Sequence, residues 1–440
     1  MKNNKKFIAS GVAVALISSG CPTASADEGE NVSALEVPAL KESYSEYFPM
    51  GAAVEPEHLE GTQGEILEKH YNSLVAENVM KPISLQPEEG EFNWEEADQI
   101  VEFANEHDME LRFHTLLWHQ QVPDWFFLDE DGNEMVDETD PEQQEANKEL
   151  LLQRLDTHIE AVMTRYKDDI DAWDVVNEVI DPNAENDEGL RESPWYQITG
   201  KEYIKTAFES ARKYGGEDAQ LYINDYNTNE SPKKEYLYDL VTELQDEGVP
   251  IDGVGHQTHI NVSWPETESI EESIELFTDL GLDNQITELD MSVYPYPPSG
   301  EYKSYEEIPD EVLDQQAERY QDLFQSFTDL DDQISNVTFW GIADNHTWLD
   351  DQFEDQETPG KDAPFVFDID YDVKPAYWAL DETPSSPAEL EDGAEAAESE
   401  DMEGGELPET STNQLSYVIA GGLLTVFSLA GLLYRRKKIA

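Results

Sequence analysis

The sequence predicts an α/β fold, a single (β/α)8 TIM barrel, on three observations. Strand-like runs rich in Val, Ile, Tyr and Trp alternate with amphipathic helix-like runs along the 440 residues. Eight such strand-like runs fall within a globular stretch whose length suits one barrel. Polar residues gather at the carboxyl ends of these runs, and that face of a barrel carries its active site.

The eight predicted strands follow one another along the chain with helical patterns between them. The strands are FPMGAAV (48–54), SLVAENVMK (73–81), ELRFHTLLW (110–118), AWDVVNEVI (172–180), QLYINDYN (220–227), GVGHQTHI (253–260), QITELDMSV (285–293) and VTFWGIAD (337–344). The clearest helical patterns cover 147–167 and 310–330. The polar residues at the strand ends are Asn78, Lys81, His114, His119, Asn177, Glu178, Asn224, Asp225, Gln257, His259, Glu288, Asp290 and Asp344.

Composition limits the classes of partner. The formal net charge is −73, which excludes nucleic acid because its phosphates would be repelled. The same charge argues against docking on an anionic membrane surface. Nine Trp and twenty Tyr provide a core and flat faces for ligands. Cys21 is the one cysteine, so no disulfide forms within the chain.

The amino terminus has the pattern of a secretory signal peptide over residues 1–26. A basic start, MKNNKK, precedes the apolar stretch FIASGVAVALISSG, and ASA at 24–26 is a small-residue cleavage site. Cys21 raises the alternative of a lipoprotein. Ser18 stands where a lipoprotein signal usually has an aliphatic residue, which favours the secretory signal.

Domain boundaries follow from shifts in composition. Residues 27–43 are predicted to be an acidic leader, and 44–383 the catalytic barrel. Residues 384–406 are rich in Pro, Ala, Ser and Glu with few large apolar side chains, which predicts a disordered acidic spacer. No second folded module, and hence no separate carbohydrate-binding domain, is predicted.

The carboxyl terminus, 407–440, resembles the cell-wall sorting signal of Gram-positive surface proteins. LPETS at 407–411 precedes an apolar run at 415–433, long enough to span a bilayer, and the basic tail YRRKK. The resemblance implies that sortase cleaves after Thr410 and joins the chain to peptidoglycan, after a transient membrane stage. The usual fifth residue is Gly, whereas this chain has Ser411. A simple membrane anchor is the alternative.

Two glutamates, Glu178 and Glu288, lie inside apolar strands, where a carboxylate is costly to desolvate without partners. Either one alone is more simply explained as a buried, hydrogen-bonded strand end. Together, on different strands of one barrel mouth, they have the arrangement that cleaves a glycosidic bond, with one carboxyl as acid and the other as nucleophile. His259 and Asp290 are expected to orient Glu288 and favour its charged form.

Seven motifs in order resemble glycoside hydrolase family 10, the retaining endo-β-1,4-xylanases, over about 44–380. They are ENVMK, HTLLWH, WDVVNE, YINDYN, GVGHQTH, ITELD and FWGIADNHTW. The resemblance implies that Glu178 is the general acid/base and Glu288 the nucleophile. Other implied roles are support of the catalytic pair by Asn177, His259 and Asp290, and substrate binding by Glu77, Asn78, Lys81, His114, Trp118, Gln121, Tyr226, Gln257, Trp340 and Trp348. One departure from many relatives is Thr347 in place of Ser before the second Trp.

Two alternatives to a xylanase stay open from the sequence. A retaining β-glucanase or cellulase could use the same fold, because xylose and glucose differ in a hydroxymethyl group that Gln121, Lys81 and Trp340 would have to admit or exclude. A non-catalytic surface sugar-binding protein would be expected to lack Glu178 or Glu288, and both are present. No cofactor is predicted. The histidines lack a tight ligand spacing such as HExxH, so no metal is predicted either.

The excess of 99 acidic over 26 basic residues also predicts adaptation to salt. Self-repulsion of a highly charged surface destabilises the compact state, and dissolved salt screens it. We therefore expect a halophilic or salt-tolerant enzyme. The simpler alternative is an ordinary acidic secreted protein whose stability is indifferent to salt.

Overall fold

The computed structural model describes residues 31–353, 356 and 358–381. Its nine strands, in chain order, are β1 Met50–Val54, β2 Ser73–Ala76, β3 Glu110–Phe113, β4 Ala172–Asn177, β5 Gln220–Asp225, β6 Gly253–His256, β7 His259–Asn261, β8 Asp283–Ser292 and β9 Ile334–Phe339. The predicted signal peptide, spacer and carboxyl-terminal anchor lie outside the described residues.

Eleven α-helices occur within the described part of the chain. They are α1 Leu40–Ser43, α2 Gly61–His70, α3 Pro82–Leu85, α4 Glu95–Glu106, α5 Pro141–Tyr166, α6 Pro194–Thr199, α7 Glu202–Gly215, α8 Lys233–Asp246, α9 Thr267–Thr278, α10 Asp310–Asp329 and α11 Pro375–Asp381. Short 3-10 helices cover Ala34–Glu36, Pro56–Leu59, Asp124–Phe127, Met135–Asp137, Tyr305–Glu307 and Trp348–Phe353.

Eight parallel strands close into a barrel, which confirms the predicted fold. Each strand pairs with the next along the chain from β1 to β6, then β6 pairs with β8, β8 with β9, and β9 with β1. All these pairings are parallel, as expected when helices connect successive strands on the outside. Strands such as β4 are buried along their whole length because helices cover the barrel.

The longest helix shows how the sequence builds the outer layer. Asp140 caps the start of α5, where its side chain accepts hydrogen bonds from two backbone N–H groups, and Pro141 occupies the first turn. Leu151, Leu155 and Ile159 recur at four-residue intervals and are fully buried. This stripe joins α5 to the main hydrophobic core. The helix predicted over 147–167 is confirmed except that α5 begins earlier, at Pro141, and ends at Tyr166, with Lys167 as its C-cap.

The predicted strand 253–260 is wrong as a single element. Gln257 and Thr258 interrupt it, so β6 and the short β7 are separate, and β7 pairs only with β8. Thr258 has a positive φ of 59°, which is rare for a β-branched residue and breaks the strand. The predicted strands that ended in ENVMK and HTLLW are also shorter, because β2 ends at Ala76 and β3 at Phe113.

The boundary predicted between leader and barrel at residue 44 needs correction. Ala34, Val37 and Leu40 are buried in the main hydrophobic core. The backbone N–H of Ala34 donates to the carbonyl of Tyr371 at 2.9 Å. Val32 and Leu35 also pack against this core, but the apolar residues of this short stretch follow neither a helical nor a strand period, so the sequence did not indicate its packing. The carbonyl of Val32 accepts a hydrogen bond from the backbone N–H of Val373 at 2.8 Å, and the folded part therefore includes residues from Val32 onward.

The two ends of the barrel domain are joined by hydrogen bonds. The hydroxyl of Tyr44, just before β1, donates to the carbonyl of Leu380 in α11 at 2.9 Å. The hydroxyl of Tyr377 donates to the carbonyl of Pro38 at 2.6 Å. The last described helix thus ends beside the segment that leads into the amino end of the first strand.

Candidate active site

A groove of about 680 Å³ runs across the carboxyl ends of the strands. Every sequence-predicted site residue except Asp290 lines it. The predicted residues in its wall are Glu77, Asn78, Lys81, His114, Trp118, Gln121, Asn177, Glu178, Tyr226, Gln257, His259, Glu288, Trp340 and Trp348. The barrel topology explains this convergence, since residues at the ends of parallel strands meet on one face.

Glu288 lies within β8 and is almost completely buried. Its Oε1 accepts a hydrogen bond from Nδ2 of Asn224 at 2.7 Å, and its Oε2 lies 3.1 Å from Nε2 of His259. Burial alone would raise the pKa of this carboxyl, but the hydrogen bond from His259 and the electrostatic interactions with His114 and His259 outweigh burial and lower it. Glu288 is therefore held as a carboxylate.

His259 is the cation that stabilises this carboxylate. Its Nδ1 lies 2.8 Å from Oδ2 of Asp290, and the two residues are paired between β7 and β8. Burial opposes the charged imidazole, yet the charge of Asp290 and hydrogen bonds to Asp290 and Glu288 raise the pKa of His259 to about 10. Both ring nitrogens thus donate. Asp290 was expected to orient Glu288 directly, but it acts through His259, and its Oδ2 also accepts from Nε1 of Trp348 at 2.8 Å.

Glu178 follows the last residue of β4 and turns out of the strand with a positive φ of 56°. Its Oε1 accepts from Nε2 of Gln257 at 3.3 Å. Burial raises the pKa of Glu178, and the charges of Asp225 and Glu288 raise it further, whereas hydrogen bonds from Trp118 and Gln257 only partly oppose this. Glu178 is therefore the carboxyl that retains a proton more readily.

The opposite pKa shifts of the two glutamates separate their chemistry. A protonated carboxyl and an ionised one in the same groove can act as acid and nucleophile. His119 is the other titratable ring beside Glu178, with its Nδ1 3.9 Å from Oε2. Burial, followed by the charge of Arg191, lowers the pKa of His119 to about 4, so it is neutral at pH 7 and adds no charge that would ionise Glu178.

An amide network connects the two catalytic strands. Asn177 on β4 and Asn224 on β5 are register partners, and Nδ2 of Asn224 lies 2.9 Å from Oδ1 of Asn177 as well as contacting Glu288. Oδ1 of Asn224 accepts from the hydroxyl of Thr287 at 2.7 Å. Gln257 reaches both Asn177 and Glu178. The network fixes the orientation of the groups around both carboxyls.

One end of the groove is formed by polar side chains that follow β2. Nζ of Lys81 donates to Oδ1 of Asn78 at 3.1 Å and to Oε1 of Gln121 at 2.9 Å, and it lies 4.9 Å from the ring centroid of Trp118. A lysine ammonium has three N–H groups, so one is left for a ligand. Glu77 has its Oε2 2.8 Å from Nε2 of His346.

Aromatic side chains cover the centre of the groove. Trp340 is buried and meets the ring of His114 edge-on at 5.3 Å between centroids. Trp348 is 38% exposed, so its face is available to solvent, and its ring contacts His259 edge-on. On the opposite side, the hydroxyl of Tyr226 accepts from Nη2 of Arg191 at 3.1 Å. Flat exposed rings of this kind suit the apolar faces of sugars.

Several residues around the groove had been given no role from the sequence. Asn224 stood among the polar strand ends, and its position two residues before Tyr226 was the available signal. Asp174 inside β4 forms a buried ion pair with Arg112 and lies 2.9 Å from Nδ1 of His114. Arg191 comes from an irregular segment after β4, and no pattern identifies it, yet its Nε donates to the carbonyl of Glu178 at 2.7 Å.

The ranges that the structure describes, 31–353, 356 and 358–381, show no candidate metal site. They contain no group of three or more His, Cys, Asp and Glu side chains that could hold an ion. The same ranges contain no helix that is both long and apolar enough for a bilayer span. The predicted span at 415–433 lies outside them.

The fold and the groove define the class of protein. Two carboxyls with opposite pKa shifts, on β8 and at the end of β4, face one long sugar-sized groove on a (β/α)8 barrel, which is the arrangement of a glycoside hydrolase. Residues 39–383 match the model of glycosyl hydrolase family 10. The chain belongs to this family, and the resemblance inferred from the seven motifs is confirmed.

Named relatives cover most of the chain. Endo-1,4-beta-xylanase A of Halalkalibacterium halodurans is 60% identical over 381 residues, which is 85% of this chain and 95% of that protein. A thermostable celloxylanase of Thermoclostridium stercorarium is 54% identical and covers 80% of this chain and 89% of its own. The crystal structure of xylanase B from Clostridium stercorarium F9 superposes with a TM-score of 0.75 at 54% identity, covering 79% of this chain and 100% of that one.

The carboxyl terminus has a match of its own. Residues 403–440 match the model of the LPXTG cell wall anchor motif. This motif indicates an extracellular protein attached to the cell wall.

Proposed function

We propose that this glycoside hydrolase is an endo-1,4-β-xylanase that cleaves xylan with retention of anomeric configuration. The observation that carries the proposal is the pair Glu178 and Glu288, which line one groove and have pKa values shifted in opposite directions. Family membership supports the reaction class, and the xylanase relatives support the substrate.

In the first step, the Glu288 carboxylate attacks the anomeric carbon while Glu178 gives its proton to the glycosidic oxygen. The bond between that carbon and the oxygen breaks, the leaving sugar chain departs with the proton, and a glycosyl ester of Glu288 remains. The charged His259 keeps Glu288 ionised before attack, and the raised pKa of Glu178 keeps the proton available.

In the second step, Glu178 acts as base. It takes a proton from water, the water oxygen attacks the anomeric carbon, and the ester bond to Glu288 breaks. Each displacement inverts the anomeric centre, so two displacements restore the β configuration. Loss of the Glu288 charge in the ester intermediate also removes one of the charges that raise the pKa of Glu178, which favours its change from acid to base.

The other residues of the groove are assigned to the substrate. We assign Asn177 to the 2-hydroxyl of the sugar at the cleaved bond, and His114 and Trp118 to the wall around that sugar. Tyr226 contacts the sugar on the leaving side, and Gln257 is assigned to the substrate beside Glu178, to which its Nε2 donates. The residues assigned to the non-reducing side of the cleaved bond are Glu77, Asn78, Lys81, Gln121, Trp340 and Trp348.

Analysis of products on xylan, cellulose and mixed-linkage glucan in parallel tests the proposed function. We expect short xylo-oligosaccharides from the interior of xylan chains and much slower release from the two glucans. A β-glucanase activity is the second candidate, because one relative at 54% identity is named a celloxylanase. Equal rates on cellulose would favour that candidate, and no soluble product from any polymer would favour a sugar-binding protein.

Secretion and attachment complete the proposal. Residues 1–26 direct export, and sortase then cleaves between Thr410 and Ser411 and joins the chain to peptidoglycan, after 415–433 has held it briefly in the membrane. Cell-wall fractions treated with muramidase should release the active enzyme. Activity that stays with membranes and needs detergent for release would instead show a permanent membrane anchor.

A further inference from the structure

Glu55 lies behind the groove rather than in its wall. It follows the last residue of β1, at the mouth of the barrel, and is 9% exposed. The residues that line the groove do not include it. Its Oε1 accepts a hydrogen bond from Nδ2 of Asn78 at 2.7 Å. Asn78 does line the groove, so Glu55 can reach the substrate only through Asn78.

This contact determines which way the Asn78 amide points. Oε1 of Glu55 is the acceptor in this contact, so the NH2 end of Asn78 faces Glu55 and its oxygen faces the groove. There, Oδ1 of Asn78 accepts from Nζ of Lys81 at 3.1 Å and from Nε2 of Gln121 at 3.2 Å. If the amide were reversed, two donors would meet an NH2 group.

The hydrogen bond between Asn78 and Glu55 also determines which N–H group of Lys81 is left to bind a ligand. Two of its three N–H groups are directed to Asn78 and Gln121, and its ammonium lies over Trp118. The third N–H remains for a sugar hydroxyl. The direction of that N–H depends on where the Asn78 oxygen sits, and thus on Glu55.

We propose that Glu55 is a positioning residue for sugar binding on the non-reducing side of the cleaved bond, acting through Asn78 on Lys81 and Gln121. This inference rests on the proposed function. It concerns the sugar beyond the one at the cleaved bond, and so a substrate with a single sugar on this side should not depend on Glu55.

The surroundings of Glu55 allow this role near neutral pH. Its pKa is raised to about 7, chiefly by burial and further by the charges of Glu77 and Glu57, while the hydrogen bond from Asn78 and the charge of His346 oppose this rise. The other titratable group beside it is His58, whose Nδ1 lies 3.1 Å from the backbone nitrogen of Glu55. A protonated Glu55 still has one carbonyl oxygen to accept from Asn78, although more weakly than the ionised group.

Two substrates separate the positioning role of Glu55 from catalysis. An aryl β-xyloside places one sugar on the non-reducing side of the cleaved bond, and an aryl β-xylobioside places two. Glu55→Leu should lower kcat/KM about ten-fold on the xylobioside, through KM, and leave the xyloside unchanged, because a buried hydrogen-bond partner of Asn78 is lost. Glu55→Gln keeps an acceptor oxygen and should restore most of the loss. Glu57→Gln, a change at an exposed neighbouring carboxylate, should behave as wild type on both.

Equal losses on both substrates, or no loss on either, would overturn the positioning role of Glu55. Should Glu55→Leu fail to fold, Glu55→Asp carries the same comparison, because it retains the charge but withdraws the acceptor from Asn78 by one methylene. Wild-type enzyme that hydrolyses neither xylan nor the xylobioside would refute the proposed function itself, which is a separate outcome.

Discussion

Nε2 of His259 lies 3.1 Å from Oε2 of Glu288, so an imidazolium is hydrogen-bonded to the carboxylate that we assign as nucleophile. Because His259 holds the pKa of Glu288 below its ordinary value, its removal should make ionisation of Glu288 harder. In His259→Leu, the acidic limb of the pH profile of kcat/KM should move up by about one pH unit.

The half-exposed His107 is far from the groove, and His107→Gln serves as the matched control, with an unchanged acidic limb. Since Glu288 must be ionised to attack, the expected loss in His259→Leu is largest at low pH and smallest at alkaline pH. A uniform loss at every pH would show that His259 does not act through the charge of Glu288.

The assignment of Glu178 as acid/base predicts a dependence on the leaving group. Glu178→Ala should reduce turnover of xylan by about 10²–10⁴-fold, the usual contribution of a positioned acid. An aryl xylobioside with a strongly acidic phenol needs no proton to depart, so its first step should be nearly unaffected, measured as a burst of phenol. Glu185→Ala, in the segment after β4, changes an exposed carboxylate and is the control. Equal losses on xylan and on the activated substrate would contradict the assignment.

The assignment of Glu288 as nucleophile predicts a chemical rescue. Glu288→Ala should have no measurable hydrolytic activity. Azide added to the variant can occupy the vacated space and attack the anomeric carbon of an activated β-glycoside once, which gives an α-glycosyl azide. Proton NMR of the product distinguishes the anomers, and a β-glycosyl azide would exclude Glu288 as the displaced nucleophile.

Retention of the anomeric configuration can be observed directly. Family 10 membership implies carboxyl groups about 5–5.5 Å apart, the separation of retaining enzymes. Proton NMR recorded within the first minutes of xylo-oligosaccharide hydrolysis should show the β-anomer first, followed by mutarotation. The α-anomer as first product would require a water between the carboxyls and an inverting mechanism.

The large negative net charge predicts that added salt makes the folded state more stable. With 99 acidic and 26 basic residues, ion pairs such as that of Lys201 with Glu188 and Glu243 neutralise only a minority of the carboxylates. Salt weakens these exposed pairs slightly, but it screens the larger repulsion, since the Debye length falls from about 30 Å at 0.01 M to about 3 Å at 1 M. Tm should rise between 0.01 and 3 M NaCl, and a flat or falling Tm would refute adaptation to salt.

The sequence predicted the barrel from the alternation of strand and helix patterns, and it predicted the groove residues from the polar strand ends together with the motifs that resemble family 10. Residues at the ends of parallel strands must converge, and motifs such as WDVVNE and ITELD lie there. The break at Thr258 was not predicted, because a positive φ is rare for a β-branched residue and no local sequence signal indicates one there. The burial of Ala34 and Leu40 was missed because their partners are distant in sequence: the backbone N–H of Ala34 donates to Tyr371, and that of Leu40 donates to His70.

The contacts between particular side chains also could not be predicted from the sequence. The sequence placed Asp290 and Glu288 on one strand. Only the structure shows that His259 contacts Glu288 directly, whereas Asp290 acts on Glu288 through His259. Arg191 lies in a segment without periodicity, and its contact with the Glu178 carbonyl depends on the path of that segment. Glu55 carried no signal because its partner Asn78 is on another strand end.

The hydrogen bond between Tyr44 and Leu380 holds the end of the last described helix at the pole of the barrel opposite the groove. Leu380 lies beside the segment entering β1, so the chain leaves the barrel near the amino ends of the strands, opposite the carboxyl ends that carry the groove. The wall-anchor motif follows later along the same chain. The groove therefore stays clear of the point where the described chain leaves the barrel, so a long polymer can lie across the groove without meeting the last described helix.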